Sequence, residues 1–268
     1  MMMRKMKKLP FLVLTLILVL AVTVFAEERV DRYDQIFDAS QDAGRLTARF
    51  LQLTTRSDDK SGDSTILTSP DGKAMIVDAG NPSTFIDIQN ALDSLGITRI
   101  DYLVASHPHV DHVGSFAQLI YGYDIGAVYT TEVEYPTSHY RNYMEALEAT
   151  ETPHVILAEG DTFMFGDHVL VEVFHPAPGI EYYEGYPEGS THHGAGTSSS
   201  RPFRDAVGAE VAVMMSDAIE ELRIYRNYAN AGTDTYITSI DGSVLVSTVG
   251  DGSYTVIPQF DRVGDFLN

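Results

Sequence analysis

The chain has 268 residues, 44% of them hydrophobic, which is enough for a sizeable core and argues against a disordered polypeptide. Formal net charge is −20, and from Glu27 onward 14 basic residues face 38 acidic ones, a balance of −24. Such a surface repels phosphate backbones and anionic lipid headgroups, so a wide nucleic-acid groove is disfavoured; the absence of cysteine excludes disulfides, thiolate metal ligands and Cys nucleophiles.

Met1 to Lys8 is basic, Leu9 to Phe25 is almost wholly apolar, and Val24-Phe25-Ala26 offers small or modest side chains. This is the pattern of a secretory signal cleaved after Ala26; the other reading is an uncleaved membrane anchor, since about 17 apolar residues lie at the lower edge of what spans a bilayer. The sequence therefore divides into a signal peptide over 1–26, a polar and loosely attached lead-in over 27–44, and a single domain over 45–268. The expected product is secreted, with no stable membrane association after cleavage.

Strands are predicted at Thr47 to Thr54 and Ser64 to Thr68, then the turn Ser69-Pro70-Asp71-Gly72, then a strand Ala74 to Val77 ending at Asp78-Ala79-Gly80. Phe85, Ile88, Leu92 and Leu95 recur at helical spacing and stop at Gly96, and Ile100 to Ala105 reads as a buried strand. A helix from about Asp111 to Tyr121, a strand Ala127 to Thr130 and a helix from about Ser138 to Ala149 continue the alternation. Strands follow at Val155 to Leu157, Thr162 to Phe165 and Val169 to Phe174. Pro176 to Ser200 is rich in Gly, Ser, Pro and Tyr without apolar periodicity, and reads as a long loop. Beyond it come a helix Arg201 to Val207, a strand Glu210 to Met215, a helix Asp217 to Ala229, and strands near Thr235 to Thr238, Ser243 to Ser247 and Tyr254 to Ile257. Asp241-Gly242 and Asp251-Gly252 are the turns between them. Strands interleaved with helices imply an α/β fold, layered with helices outside.

The stretch that carries chemistry is Ser106-His107-Pro108-His109-Val110-Asp111-His112-Val113-Gly114, directly after a strand. An isolated histidine is ordinarily a satisfied structural residue. Here four identities at fixed spacing would arise by chance in about one chain in a thousand of this composition. Imidazole and carboxylate suit zinc, manganese or iron, and a strand end running into a loop and a helix start lets His107 and His109 face one position and Asp111 and His112 a neighbouring one.

On these residues the chain resembles the metallo-β-lactamase fold superfamily, whose signature is His-x-His-x-Asp-His after a strand. It is most similar to the branch found in competence-related DNA-uptake proteins and their secreted stand-alone relatives. Gly62-Asp63-Ser64, Pro70-Asp71-Gly72-Lys73, Asp78-Ala79-Gly80 and Thr191-His192-His193-Gly194 through Ser200 match that branch in order. The resemblance implies a four-layer αβ/βα sandwich with a dinuclear metal site at one edge of its sheets. His107 and His109 would hold the first metal, and Asp111, His112 and one of His192 and His193 the second. Asp78 would support the ligand loop from behind; its other reading is a turn-former before glycine. A hydroxide oriented by Asp111 would attack an electrophilic phosphorus or carbonyl carbon.

The resemblance breaks between His175 and His192. Relatives place further strands and a bridging Asp there, whereas Pro176 to Ser190 reads PAPGIEYYEGYPEGS with no Gly-Asp pair. Strands are thus expected to be missing from the second half, through an internal deletion. Asp217, Glu181 and Glu184 are the conceivable substitutes for the bridging carboxylate, and His175 a conceivable third ligand to the first metal. The leading expectation is a secreted hydrolase of phosphodiester or related ester bonds. It would use up to two divalent ions per chain, zinc with manganese as the alternative, on a small phosphoester rather than nucleic acid. The competing expectation is a degenerate, weakly metal-binding or inactive member acting as a binding or structural module. Missing strands would also leave an edge beside Val169 to Phe174 or Glu210 to Met215 open to self-association.

Overall fold

The computed structural model describes residues 29–55, 60–174, 199–215 and 222–262. The expected signal peptide, His175, Glu181, Glu184, His192, His193 and Asp217 lie outside the described residues. Among the described residues no helix is long and apolar enough to cross a membrane.

The strands in chain order are β1 (Leu46–Phe50), β2 (Thr65–Thr68), β3 (Ala74–Val77), β4 (Arg99–Val104), β5 (Asp124–Thr130), β6 (His154–Ile156), β7 (Thr162–Phe165), β8 (Val169–Glu172), β9 (Val211–Met214), β10 (Asp234–Ile237), β11 (Val244–Thr248) and β12 (Thr255–Pro258). Eight of them form one mixed sheet in the order β12-β11-β1-β2-β3-β4-β5-β6. From β12 to β3 neighbours run antiparallel, and from β3 to β6 they run parallel. The expected α/β class holds. Among the described residues, the strands outside the large sheet form two pairs, β7 antiparallel to β8 and β9 parallel to β10.

The helices are α1 (Tyr33–Ile36), α2 (Phe85–Leu95), α3 (Val110–Val113), α4 (Phe116–Gly122), α5 (Ser138–Thr150), α6 (Arg201–Val207), α7 (Leu222–Ala229) and α8 (Thr238–Asp241). The change of strand direction follows from the connections. β2 and β3 are joined by a short turn in which Gly72 N–H donates to Ser69 O at 2.9 Å, and Ser69 Oγ donates to Asp71 Oδ1 at 2.8 Å. From β3 to β6 each connection contains a helix, long enough for the chain to return and pair in parallel. One face of α2 buries Ile88, Ala91, Leu92 and Leu95 against the sheet, and Gly96, at φ 67°, ends the helix by donating to Leu92 O and Asp93 O. Phe116 and Leu119 of α4 and Tyr143 and Leu147 of α5 extend the same core over Ile100, Leu103 and Val128. The opposite face of β4 and β5 carries Tyr102 and Tyr129, stacked with Phe163 of β7 at centroid separations of 5.8 and 4.8 Å. Tyr102 OH donates to Met164 O at 2.8 Å, which docks the β7–β8 hairpin on that face.

Three local expectations are corrected. The lead-in before Arg45 is packed: Ile36 and Phe37 belong to the core, and Arg49 of β1 donates to Ile36 O at 2.7 Å. The single helix expected from Asp111 to Tyr121 is broken into α3 and α4 at Ser115, which has φ −99° and ψ 8° and donates its hydroxyl to Asn81 O at 3.3 Å. Where a turn was expected after β10, α8 forms instead, with Asp241 Oδ2 accepting from Ile237 N–H at 2.7 Å.

Candidate metal centre

The parallel strands β3 and β4 end side by side, the place where open α/β sheets present ligand sites. Three loops meet there: residues 61–64 before β2, 78–81 after β3 and 105–114 after β4. Main-chain hydrogen bonds stitch them together. Asp63 N–H donates to Asp111 O at 3.1 Å, Gly80 N–H to Asp63 O at 2.9 Å, Ala79 N–H to His112 O at 2.7 Å and Asn81 N–H to Ser61 O at 2.9 Å. Gly62, at φ 82°, lies so close that a Cβ there would stand 1.8 Å from Asp111 O. Glycine at this position is a packing requirement of the ligand loop.

Asp78 sits at φ 60°, a left-handed conformation that Asp and Asn tolerate better than other residues with a side chain, and it is buried. Its Oδ1 accepts from Ser106 N–H at 2.8 Å, and its Oδ2 from Ser106 Oγ at 2.6 Å. His112 Nδ1 lies 2.7 Å from the same Oδ2. A carboxylate only accepts, so Nδ1 of His112 carries a proton, and in the neutral ring Nε2 is left as the electron-pair donor. Turn former and hydrogen-bond anchor, the two readings of Asp78, therefore describe one residue.

His107, Asp111 and His112 are buried, and His109 is half-buried as the N-cap residue of α3. The His107 ring lies 4.6 Å from that of His109 and 3.8 Å from that of His112 between centroids. His112 Nε2 is 4.0 Å from Asp111 Oδ1. The four residues singled out between positions 107 and 112 are thus brought to one place. Burial disfavours the charged form of His112, but Asp78, followed by Asp63 and Asp111, outweighs it and raises the pKa above the ordinary histidine value. The pocket favours positive charge.

These donors fit a divalent ion by type: imidazole nitrogens with the opposite nitrogen anchored, plus a carboxylate, all in a negative field. Among the described residues no three His, Asp or Glu side chains stand ready-grouped around one ion position. The rings lie against one another instead. Sequence reasoning gave no role to Ser106, although it begins the singled-out stretch, nor to Tyr135, whose ring lies 5.0 Å from that of His109. The pairing of β3 with β4 brings Ser106 to Asp78; for Tyr135 no local signal exists.

Residues 58–186 match the family model described as the metallo-beta-lactamase superfamily. A UPF0173 metal-dependent hydrolase of Staphylococcus aureus (strain MRSA252) is 27% identical over 137 residues, covering 48% of this chain and 54% of the relative. The chain thus spans about half the length of the curated relatives it matches. Among solved structures, a new diphosphatase from the PhnP family aligns over 73% of this chain and 86% of its own at 14% identity, with a TM-score of 0.39. The metallo-beta-lactamase fold protein YhfI from Bacillus subtilis aligns over 46% of this chain and 49% of its own at 14% identity, with a TM-score of 0.31.

Proposed function

We propose that the protein is a secreted metal-dependent hydrolase acting on phosphodiester or related ester bonds, in the competence-protein-like branch of the superfamily. The observation that carries this reading is the cluster of His107, His109, Asp111 and His112 above an Asp78 that orients His112. The matched S. aureus relative bears the name metal-dependent hydrolase, which supports the same class. His107, His109, Asp111 and His112 would hold the ion or ions, with one of His192 and His193 as a further ligand. A bound zinc or manganese would polarise a phosphoryl or carbonyl oxygen and activate water for attack. Asp111 would orient that water and could accept its proton at a carboxylate oxygen. Asp78 engages Nδ1 of His112, so that Nε2 would be the nitrogen available to an ion. The charge of −24 from Glu27 onward favours a small phosphoester over a nucleic acid.

A second reading, a weakly metal-binding module without turnover, is favoured by the stretch Pro176 to Ser190, which offers no Gly-Asp pair to supply a bridging carboxylate. One experiment separates the two. Zinc and manganese are titrated into metal-free protein, and a chromogenic phosphodiester is assayed in parallel with His107→Ala. Tight binding with turnover that His107→Ala abolishes supports the hydrolase; weak binding without turnover supports the module.

A further inference from the structure

We propose that Ser106 is a positioning residue that carries the orienting effect of Asp78 onward to His107, so that one carboxylate sets the same tautomer on two imidazoles. This rests on the reading of those imidazoles as metal ligands only for its functional consequence; the hydrogen-bond chain stands by itself. His112 reaches Asp78 directly, with Nδ1 at 2.7 Å from Oδ2. His107 meets the same carboxylate through Ser106, with Nδ1 at 3.0 Å from Ser106 Oγ.

The direction of each bond follows from counting protons. A serine hydroxyl has one proton and two lone pairs. Asp78 Oδ2, 2.6 Å from Ser106 Oγ, takes that proton because a carboxylate has none to give. Only a lone pair then faces His107, so the bond at 3.0 Å exists only if His107 Nδ1 carries a hydrogen and donates it. The chain therefore reads His107 Nδ1–H to Ser106 Oγ–H to Asp78 Oδ2, met from the other side by His112 Nδ1–H. Both Nε2 atoms are left as electron-pair donors. A second bond fixes the serine itself, since its own N–H donates to Asp78 Oδ1 at 2.8 Å. Ser106 is exposed as a residue while its two partners are buried, so its hydroxyl can be removed without opening a hole in the core.

The test uses the full chain with 15N-labelled histidine, metal-free and at alkaline pH, where long-range proton–nitrogen correlations distinguish Nδ1–H from Nε2–H rings. His107 and His112 should both be Nδ1–H in the unaltered protein. Ser106→Ala should move His107 towards Nε2–H and leave His112 unchanged, whereas Ser106→Thr, which keeps the hydroxyl, should restore His107. Zinc affinity measured by chelator competition should fall about 10-fold in Ser106→Ala and recover in Ser106→Thr. A His107 ring that is Nε2–H in the unaltered protein, or that stays Nδ1–H in Ser106→Ala, overturns the proposal. A tautomer change in protein that binds no zinc upholds the positioning role and refutes the metal-dependent reading instead.

Discussion

β4 has a hydrogen-bonded aspartate near each end, and the two are built to opposite purposes. Asp101, at the start, accepts from Arg99 Nε at 3.0 Å, Lys73 Nζ at 3.4 Å and Ala74 N–H at 3.1 Å, and Arg99 reaches on to Asp124 at 2.5 Å. Asp78, beside the far end, accepts from one serine and one histidine. At the first end the negative charge is answered by permanent cations, and the result is a clamp between β3, β4 and β5. At the second it is answered by a hydroxyl, a main-chain N–H and an imidazole, none of which carries a permanent charge. Similar hydrogen-bond counts thus yield a structural joint in one place and a candidate ligand site in the other. What differs is whether the donors carry a fixed charge.

The largest expected effect tests how rigid each end is. Gly62→Ala at the site end would drive a methyl group into the main-chain oxygen of Asp111, while Gly166→Ala at the other end would meet the side chain of Asp71, which can rotate away. Denaturant unfolding should show a loss of about 3–5 kcal/mol for Gly62→Ala, and roughly half that for Gly166→Ala. Equal losses would mean that the ligand loops are no stiffer than the hairpin turn. Next comes Asp78→Asn, which keeps the left-handed backbone but removes the charge. Chelator competition should show zinc bound about 10–100-fold more weakly, with little change in melting temperature. Unchanged affinity would place Asp78 in the same structural class as Asp101.

The smallest effect belongs to Asp101→Asn, expected to lose about 1–2 kcal/mol at neutral pH without altering metal affinity. Burial would raise the Asp101 carboxyl, but the Ala74 N–H, the Arg99 guanidinium and the Lys73 ammonium outweigh it and hold the pKa below the ordinary carboxylate value. The folded state therefore keeps Asp101 ionised to lower pH than the unfolded chain does. Its contribution is fully present above the ordinary Asp pKa and is lost as pH falls through the lowered folded value. Urea midpoints of the two proteins should accordingly converge in acid; a gap that persists or widens there would contradict the clamp.

Much of this was legible in the sequence because the signals are local. The four candidate ligands occupy six consecutive positions, and a strand followed by a helix start brings such residues together without long-range help. The helix over Phe85–Leu95 and its stop at Gly96 were legible for the same reason, from spacing and one glycine. What escaped depends on contacts between distant segments. Ser106 meets Asp78 only through the pairing of β3 with β4, and the break at Ser115 reflects a hydroxyl reaching back to Asn81. The lead-in looked polar because Ile36 and Phe37 are its two core residues among charged and small neighbours, too few to form a period.

That lead-in has a consequence for where the folding unit starts. Arg49 is wholly inaccessible to solvent, and its guanidinium is held by Asp42 at 2.7 Å, Ile36 O at 2.7 Å, Asp38 O at 3.4 Å and Thr47 Oγ1 at 3.1 Å. All but Thr47 lie before Arg45. A polypeptide begun at Arg45, where regular strand periodicity sets in, would keep every residue of the large sheet yet strand a cation inside it, at a loss of about 3–5 kcal/mol. For this fold the stabilising residues begin before the first strand, and a protease that trims the polar stretch should destabilise the protein by that same amount.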